Sequence, residues 1–306
     1  MLPLDYKALG AAIKRSYIEA DGYQLDKYVP AFNVDGKFIG DFFNYIMLEP
    51  QGTRPPLFYH IFSPYDVISH QAPQYAAVMQ GGKLLYNNEF TPYVRQRTGV
   101  MTAVMLESLG YESMRGKRVL AVGVGQIARC ALAALKAYFP DLAEVSFISA
   151  TSGGSEYAEL ARSLGVAATA ANLDSLSDYD VIMCHTSSKE PVLTADMTSN
   201  IKPGAFISVF ASEDHAEVAE AFYDTDAATV IIDWEQTIVE APELKAAVGR
   251  RRADASKIIM AKDLFEHGIT GKSGSNYTIY RSHGTPMQNL AALKLLLGAH
   301  EAPPSH

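Results

Sequence analysis

Residues 118–138 constrain this chain more than any other stretch: an apolar strand, a glycine turn and a helix follow one another without a break. Arg118-Val119-Leu120-Ala121-Val122 is short and almost wholly apolar, the texture of a strand covered on both faces. Gly123-Val124-Gly125-Gln126-Ile127-Ala128 then forms a GxGxxA turn, and helical spacing runs on to about Tyr138. In such a turn the first glycine allows the tight reversal and the second lets backbone approach a diphosphate. The small Ala128 lets helix and strand pack closely. Free N–H groups at the helix start favour an anion. In this setting the turn reads as a dinucleotide site; the competing reading is a tight turn with no ligand.

Glu144 to Ser149 supplies the next strand. A carboxylate at its end would hold a ribose 2′-hydroxyl and repel a 2′-phosphate. Ser149-Ala150-Thr151-Ser152-Gly153-Gly154-Ser155 carries neither carboxylate nor arginine. Hydroxyls and backbone amides there suit a 2′-phosphate, so the reading leans to NADP over NAD.

The alternation continues with a helix over Tyr157 to Leu164 and buried strands at Val181 to Cys184, Ala205 to Phe210 and Thr229 to Asp233. Strands apolar on both faces and separated by helices predict a parallel α/β sheet. A polar Gly/Ser stretch from Gly268 to Ser275 closes this region. The first hundred residues differ. A helix over about Tyr6 to Ala20 precedes strands at Phe42 to Leu48, Leu57 to Phe62 and Tyr75 to Met79. Gly81-Gly82 turns a hairpin into Lys83 to Tyr86. A helix from Thr98 to Leu109 comes next, and a last helix, about Met287 to Leu297, is expected to return onto the N-terminal part.

At 306 residues the chain is long enough for two joined domains and a sizeable core. A net charge of -8 argues against a nucleic-acid binder; Arg250-Arg251-Arg252 is the one basic run. Cys130 and Cys184 sit in apolar stretches without ligand spacing, so they read as buried thiols of a reducing compartment rather than a metal site. No secretory pattern or membrane-length apolar run is visible, and the expectation is a cytoplasmic protein.

Two further segments carry chemistry. Arg95-Gln96-Arg97-Thr98-Gly99 reads as a helix start with Thr98 as N-cap, which would make Arg97 part of an anion site. Phe210-Ala211-Ser212-Glu213-Asp214-His215 comes directly after an apolar strand, where parallel sheets gather their reactive groups, and Glu213, Asp214 or His215 could transfer a proton. His185, just after the strand 181–184, is similarly placed, although a lone histidine is more often structural.

Seven segments in order resemble the ornithine cyclodeaminase/μ-crystallin family: Ser69 to Ala72, Arg97 to Gly99, Gly123 to Ala128, Ser187 to Leu193, Ile201 to Gly204, Ile232 to Gln236 and Tyr280 to Ala291. The resemblance implies an α/β fold in which a Rossmann dinucleotide-binding domain, residues 113–271, is inserted in an α+β dimerisation and substrate domain, residues 1–112 and 272–306. It implies a homodimer that transfers hydride between NAD(P) and the α-carbon of an imine or amino acid. Carried over, Arg97 holds the substrate carboxylate, Thr98 contacts cofactor phosphate, and Glu213, or Asp214 beside it, carries the proton.

Two of the family's cationic substrate contacts are replaced. Pro30-Ala31-Phe32 stands where a Pro-x-Arg occurs, and Phe58 or His60 stands where a strand lysine occurs. That disfavours a cyclodeaminase with bound NAD and fits a reductase or dehydrogenase for a bulkier or less charged imine. A cofactor-dependent binding protein without turnover is the rival. In the leading reading the diphosphate rests on Gly123, Val124, Gly125, Gln126 and Ile127. Ser149, Ala150, Thr151 and Ser152 border the ribose. His185, Thr186, Ser187, Phe210 and Ala211 line the nicotinamide, and Phe58 and His60 face the substrate, His60 as an auxiliary proton carrier.

Overall fold

The computed structural model describes residues 3–20, 24–28, 31–34, 37–48, 57–64, 73–150, 152–211, 215–269 and 276–301. The chain forms two compact units, Met1–Arg97 with Pro286–His306, and Thr98–Thr285.

In the first unit, helix α1 (Tyr6–Ile18) starts at Asp5, whose carboxylate accepts the Ala8 N–H at 2.7 Å. Strands β1 (Gln24–Tyr28), β2 (Ala31–Val34), β3 (Lys37–Leu48), β4 (Leu57–Pro64), β5 (Tyr75–Gln80) and β6 (Lys83–Glu89) come after it. They form an antiparallel sheet in the order β1-β3-β4-β5-β6, with β2 on β3. Side-chain alternation decides its faces. Tyr59 and Ile61 of β4 are buried beside Val78 and Ala76 of β5, while Phe58, His60 and Phe62 share the opposite, half-buried face.

Helix α2 runs from Thr91 to Ser108 and straddles the division between the units. It begins seven residues before the expected Thr98 cap. The signal lies in Thr91-Pro92: proline in a first turn lacks only an N–H that has no helical partner there. Thr91 Oγ1 also accepts the Gln74 N–H at 2.8 Å. Thr98 is therefore an interior helical residue, and Arg97 does not sit at the positive end of a helix.

In the second unit, β7 (Val119–Val122), α3 (Gln126–Tyr138), β8 (Glu144–Ile148), α4 (Gly154–Ser163), β9 (Ala167–Ala170), β10 (Val181–Cys184), β11 (Ala205–Phe210) and β12 (Ala228–Ile232) alternate as expected for a parallel sheet. They are followed by α5 (Thr237–Glu240), α6 (Pro242–Gly249), β13 (Ile259–Met260), α7 (Ala261–His267) and β14 (Tyr277–Ser282). The sheet has eight parallel strands in the order β13-β12-β14-β11-β10-β7-β8-β9. One side of its core gathers Leu120, Ile182, Ile207, Val230 and Ile279 with Phe222 and Leu244.

The expected domain boundaries were 112/113 and 271/272; the compact units divide after Arg97 and after Thr285. Two contacts account for the difference. β14 threads between β11 and β12, well inside the sheet. The later part of α2 lies against α3, where Gly99 faces Cys130. Helix α8 (Pro286–Glu301) returns to the first unit and packs on α1, as the sequence leads one to expect.

A Cβ at Gly99 would stand 2.6 Å from Cys130 Cβ and 2.7 Å from the Ala131 backbone nitrogen. Gly99→Ala should therefore cost about 1–3 kcal/mol by overpacking, despite the roughly 1 kcal/mol helix-propensity gain. Urea denaturation measures this, and an unchanged or raised midpoint would contradict the close α2–α3 approach.

Candidate functional site

The turn after β7 is built by one close approach. Gly123 has φ 90°, and a Cβ there would lie 2.4 Å from the His185 carbonyl oxygen. Its N–H donates to Ile148 O at 3.0 Å, tying the end of β7 to that of β8. Gly125 is different. Its φ is −67°, which any residue adopts, and a Cβ there would meet nothing within 4 Å. Neither backbone nor packing requires glycine at 125, so the space beside it is open. No side chain caps α3 at Gly125, which leaves the N–H groups of the first turn for another acceptor. Val124 is buried, Ile127 half-buried and Gln126 exposed. Arg129 braces the turn from below, donating from Nε to Val124 O at 3.2 Å and pairing with Glu156 of α4 at 2.5 Å.

Around this turn lie the ends of three strands. After β8, Ser149 is half-buried and Ala150 and Ser152 are exposed. After β10, His185 is buried, its N–H donates to Val122 O at 2.9 Å, and burial pushes its pKa down to about 4. The imidazole is therefore neutral at pH 7. Thr186 is half-buried and Ser187 exposed. After β11, Phe210 is half-buried and Ala211 buried. The Ala211 carbonyl accepts Arg281 Nη1 at 2.9 Å, and Arg281 Nε pairs with Glu243 at 2.6 Å in the core. That pair fixes the chain just before Glu213 and Asp214. Those two residues, Thr151 and residues 69–72 lie outside the described residues.

The sequence reading missed Glu217. It is buried, its Oε1 accepts the Thr186 N–H at 2.7 Å, and its main-chain oxygen accepts Val192 N–H at 2.9 Å. It thereby holds the loop after β10 in place. Burial raises its pKa to about 8, against the opposing hydrogen bond from Thr186. Nothing local marks it: Ala216-Glu217-Val218 reads as an exposed acid until the fold covers it.

In the first unit Arg97 is 5% exposed. Its Nε donates to Asn289 Oδ1 at 2.9 Å and its Nη1 to Gln288 Oε1 at 2.8 Å, both on α8. Thr98, the next residue, is also buried. On β4, the His60 and Phe62 rings lie 5.1 Å apart and Phe62 stacks on Tyr75 at 5.6 Å, so the half-buried face carrying Phe58 is aromatic. Burial lowers the pKa of His60, which favours its neutral form. Among the described residues, no group of three or more His, Cys, Asp or Glu side chains could hold a metal ion, and no helix is long and apolar enough to cross a membrane.

The profile of the Ornithine cyclodeaminase/mu-crystallin family matches residues 76–301. No curated protein matches the chain. Solved structures share the fold at low identity. The probable ornithine cyclodeaminase from Bordetella pertussis Tohama I superposes with a TM-score of 0.80 at 19% identity, over 98% of this chain and 95% of its own. The iminosuccinate reductase of Paracoccus denitrificans in complex with NAD+ gives 0.81 at 16%, over 97% and 93%. The Thermococcus litoralis Δ1-pyrroline-2-carboxylate reductase in complex with NADH and L-proline gives 0.81 at 14%, over 99% and 96%.

Glu217 makes a pH-dependent contribution to stability. Its native pKa of about 8 lies above the ordinary 4.5, so between these values the unfolded carboxyl ionises while the native one stays protonated. The contribution is complete below the lower value and is lost as pH rises to the upper one, by at most about 1.4 kcal/mol per pH unit. Glu217→Gln can still accept from Thr186 and never ionises. The variant should gain on the wild type between pH 5 and pH 8 in denaturant titrations; a gap that does not change with pH would show Glu217 ionised throughout.

Proposed function

Because the chain belongs to the ornithine cyclodeaminase/mu-crystallin family, we propose that it is an NAD(P)H-dependent oxidoreductase that reduces a carboxylate-bearing imine to an amino acid, or runs the reverse. The observation that carries the reading is Gly125: a glycine that neither its φ nor its packing explains, beside an uncapped helix start. A diphosphate passing over the turn accounts for both.

In this reading the larger unit binds the dinucleotide and the smaller one holds substrate and dimerises. Gly123 makes the turn and the N–H groups of residues 124–127 receive the diphosphate, with Thr98 assisting. Ser149, Ala150, Thr151 and Ser152 border the ribose; with no carboxylate among them, NADPH is favoured over NADH. His185, Thr186, Ser187, Phe210 and Ala211 line the nicotinamide, and Glu217 keeps their loop in place through Thr186. When bound, the cofactor supplies the hydride. Arg97 anchors the substrate carboxylate, and Phe58 and its aromatic neighbours cover the substrate's apolar part. Protonating the imine nitrogen makes its carbon a better hydride acceptor, and Glu213 or Asp214 is assigned that proton. His60, whose neutral form is favoured, suits the accepting role in the reverse direction.

One observation favours a second reading, a cofactor-dependent binding protein without turnover: aromatic groups occupy the face where a cationic catalytic contact would be expected. An assay separates the two. NADPH oxidation is followed with Δ1-pyrroline-2-carboxylate and with pyruvate plus methylamine. A binder quenches NADPH fluorescence and never consumes it.

Two variants test the roles. Gly125→Asp should fold as the wild type does, because its Cβ has open space. Its NADPH affinity should fall by well over about tenfold, or about 1.4 kcal/mol; unchanged affinity would remove the dinucleotide reading of the turn. Arg97→Met should lower kcat/KM by about 30-fold or more, since a charge-assisted contact to a desolvated carboxylate is worth roughly 2–5 kcal/mol on truncation. Its NADPH binding should stay intact, and normal turnover would reassign the carboxylate contact.

A further inference from the structure

Residues 148–152, at the end of β8, carry no charged side chain, yet the fold brings one of each sign close to them. Helix α4 starts against that strand end. A Cβ at Gly154, its first residue, would stand 3.7 Å from Ser149 Cβ and 2.9 Å from the Phe147 ring. Glu156 lies in the first turn of the same helix. Arg129 reaches it from α3, its Nη2 donating to Glu156 Oε2 at 2.5 Å. The Nε of that guanidinium donates to Val124 O at 3.2 Å, inside the glycine turn. One cation therefore spans from the diphosphate turn to the segment that borders the ribose.

Its two attachments are unequal. The Glu156 side chain is 65% exposed and that of Arg129 21%. An ion pair with so exposed a carboxylate gains little, because water competes for the charge. The bond to Val124 keeps the guanidinium in place when its other partner changes. A phosphate monoester carries about −1.5 to −2 charge at neutral pH and offers three acceptor oxygens. For a planar guanidinium it is a stronger partner than an exposed carboxylate.

We propose that Arg129 and Glu156 together read the 2′ position of the adenosine ribose. Arg129 is the contact for a 2′-phosphate, and Glu156 is the counter-ion that it leaves to make that contact. The choice between NADPH and NADH is then set by two helices rather than by the strand end alone, and Glu156 limits how strongly it favours NADPH. The inference rests on the reading of the glycine turn as a dinucleotide site.

The test uses the full chain with NADPH and with NADH, which differ only in that phosphate. Affinities are read by calorimetry and by nucleotide fluorescence, without turnover. Arg129→Gln should weaken NADPH binding by about tenfold, some 1.4 kcal/mol, and change NADH binding by less than about twofold. Glu156→Gln should do the opposite, tightening NADPH by about threefold and leaving NADH as it was. Glu156 is exposed, so its variant decides alone if Arg129→Gln does not fold. Equal losses for both nucleotides in Arg129→Gln would show an arginine that only braces Val124, and overturn the inference. So would a ratio of the two affinities that stays at its wild-type value in the variants that fold. A different result strikes the underlying reading. A wild type that binds neither nucleotide, or a Gly125→Asp variant that binds both undiminished, shows that the turn holds no dinucleotide.

Discussion

The contact between Gly123 and the His185 carbonyl holds three strand ends together. No side chain fits at 123, because a Cβ would lie 2.4 Å from that oxygen. The left-handed φ that glycine permits also directs its N–H to Ile148, so β7, β8 and β10 are fastened through one residue. The segments beyond the three strands inherit their positions from this point: α3 with its uncapped start, residues 149 and 150 after β8, and the loop from His185. The loop then gains a second anchor at Glu217, and the Glu217 main chain runs beside Val192 and Leu193. Local backbone geometry thus places groups that lie nearly a hundred residues apart in the chain.

A second set of contacts makes the other side of the sheet specific. Asp233, at the end of β12, accepts hydrogen bonds from the Tyr280 and Ser282 hydroxyls and from the N–H groups of His283 and Gly284. Arg281 reaches the opposite way, to Glu243 and the Ala211 carbonyl. Truncating Arg281 alone would strand the buried Glu243, which is the expensive way to break such a pair. Together these groups satisfy the hydroxyls of Tyr280 and Ser282 and the Nε and Nη1 of Arg281 on β14, while Arg281 Nη2 and Glu243 Oε2 have no hydrogen bond among the described residues.

That satisfaction also explains which parts of the fold were legible. β7, β10 and β11 are apolar on both faces and announce themselves, and the glycine turn identifies its own surroundings. Tyr277-Thr278-Ile279-Tyr280-Arg281-Ser282 does not look like a central strand, because Arg281 and Ser282 become buriable only through Asp233 and Glu243, some forty to fifty residues away in sequence. The start of α2 was misplaced because Thr98-Gly99 imitates a cap. Gly99 is glycine for another reason, the close approach of Cys130, which no local pattern carries. Arg97 draws notice through its sequence neighbours, whereas its hydrogen bonds to Gln288 and Asn289 depend on α8 returning from the far end of the chain. Glu217 was invisible for the same reason: burial is a property of the assembled sheet.

Burial also determines the field at the turn. His185 and Glu217 flank the loop after β10, and desolvation shifts them in opposite directions, the imidazole down to about 4 and the carboxyl up to about 8. Desolvation always penalises the charged form, so a base and an acid both become neutral over the range between those values. Throughout that range neither adds charge beside the start of α3. The N–H groups of that helix end, at the exposed Gly125 and Gln126, therefore have no ionised neighbour from this pair to oppose them. Above about pH 8 Glu217 ionises, and a negative charge appears next to Thr186. The same ionisation that alters stability therefore also changes the charge on the loop that carries His185 and Thr186.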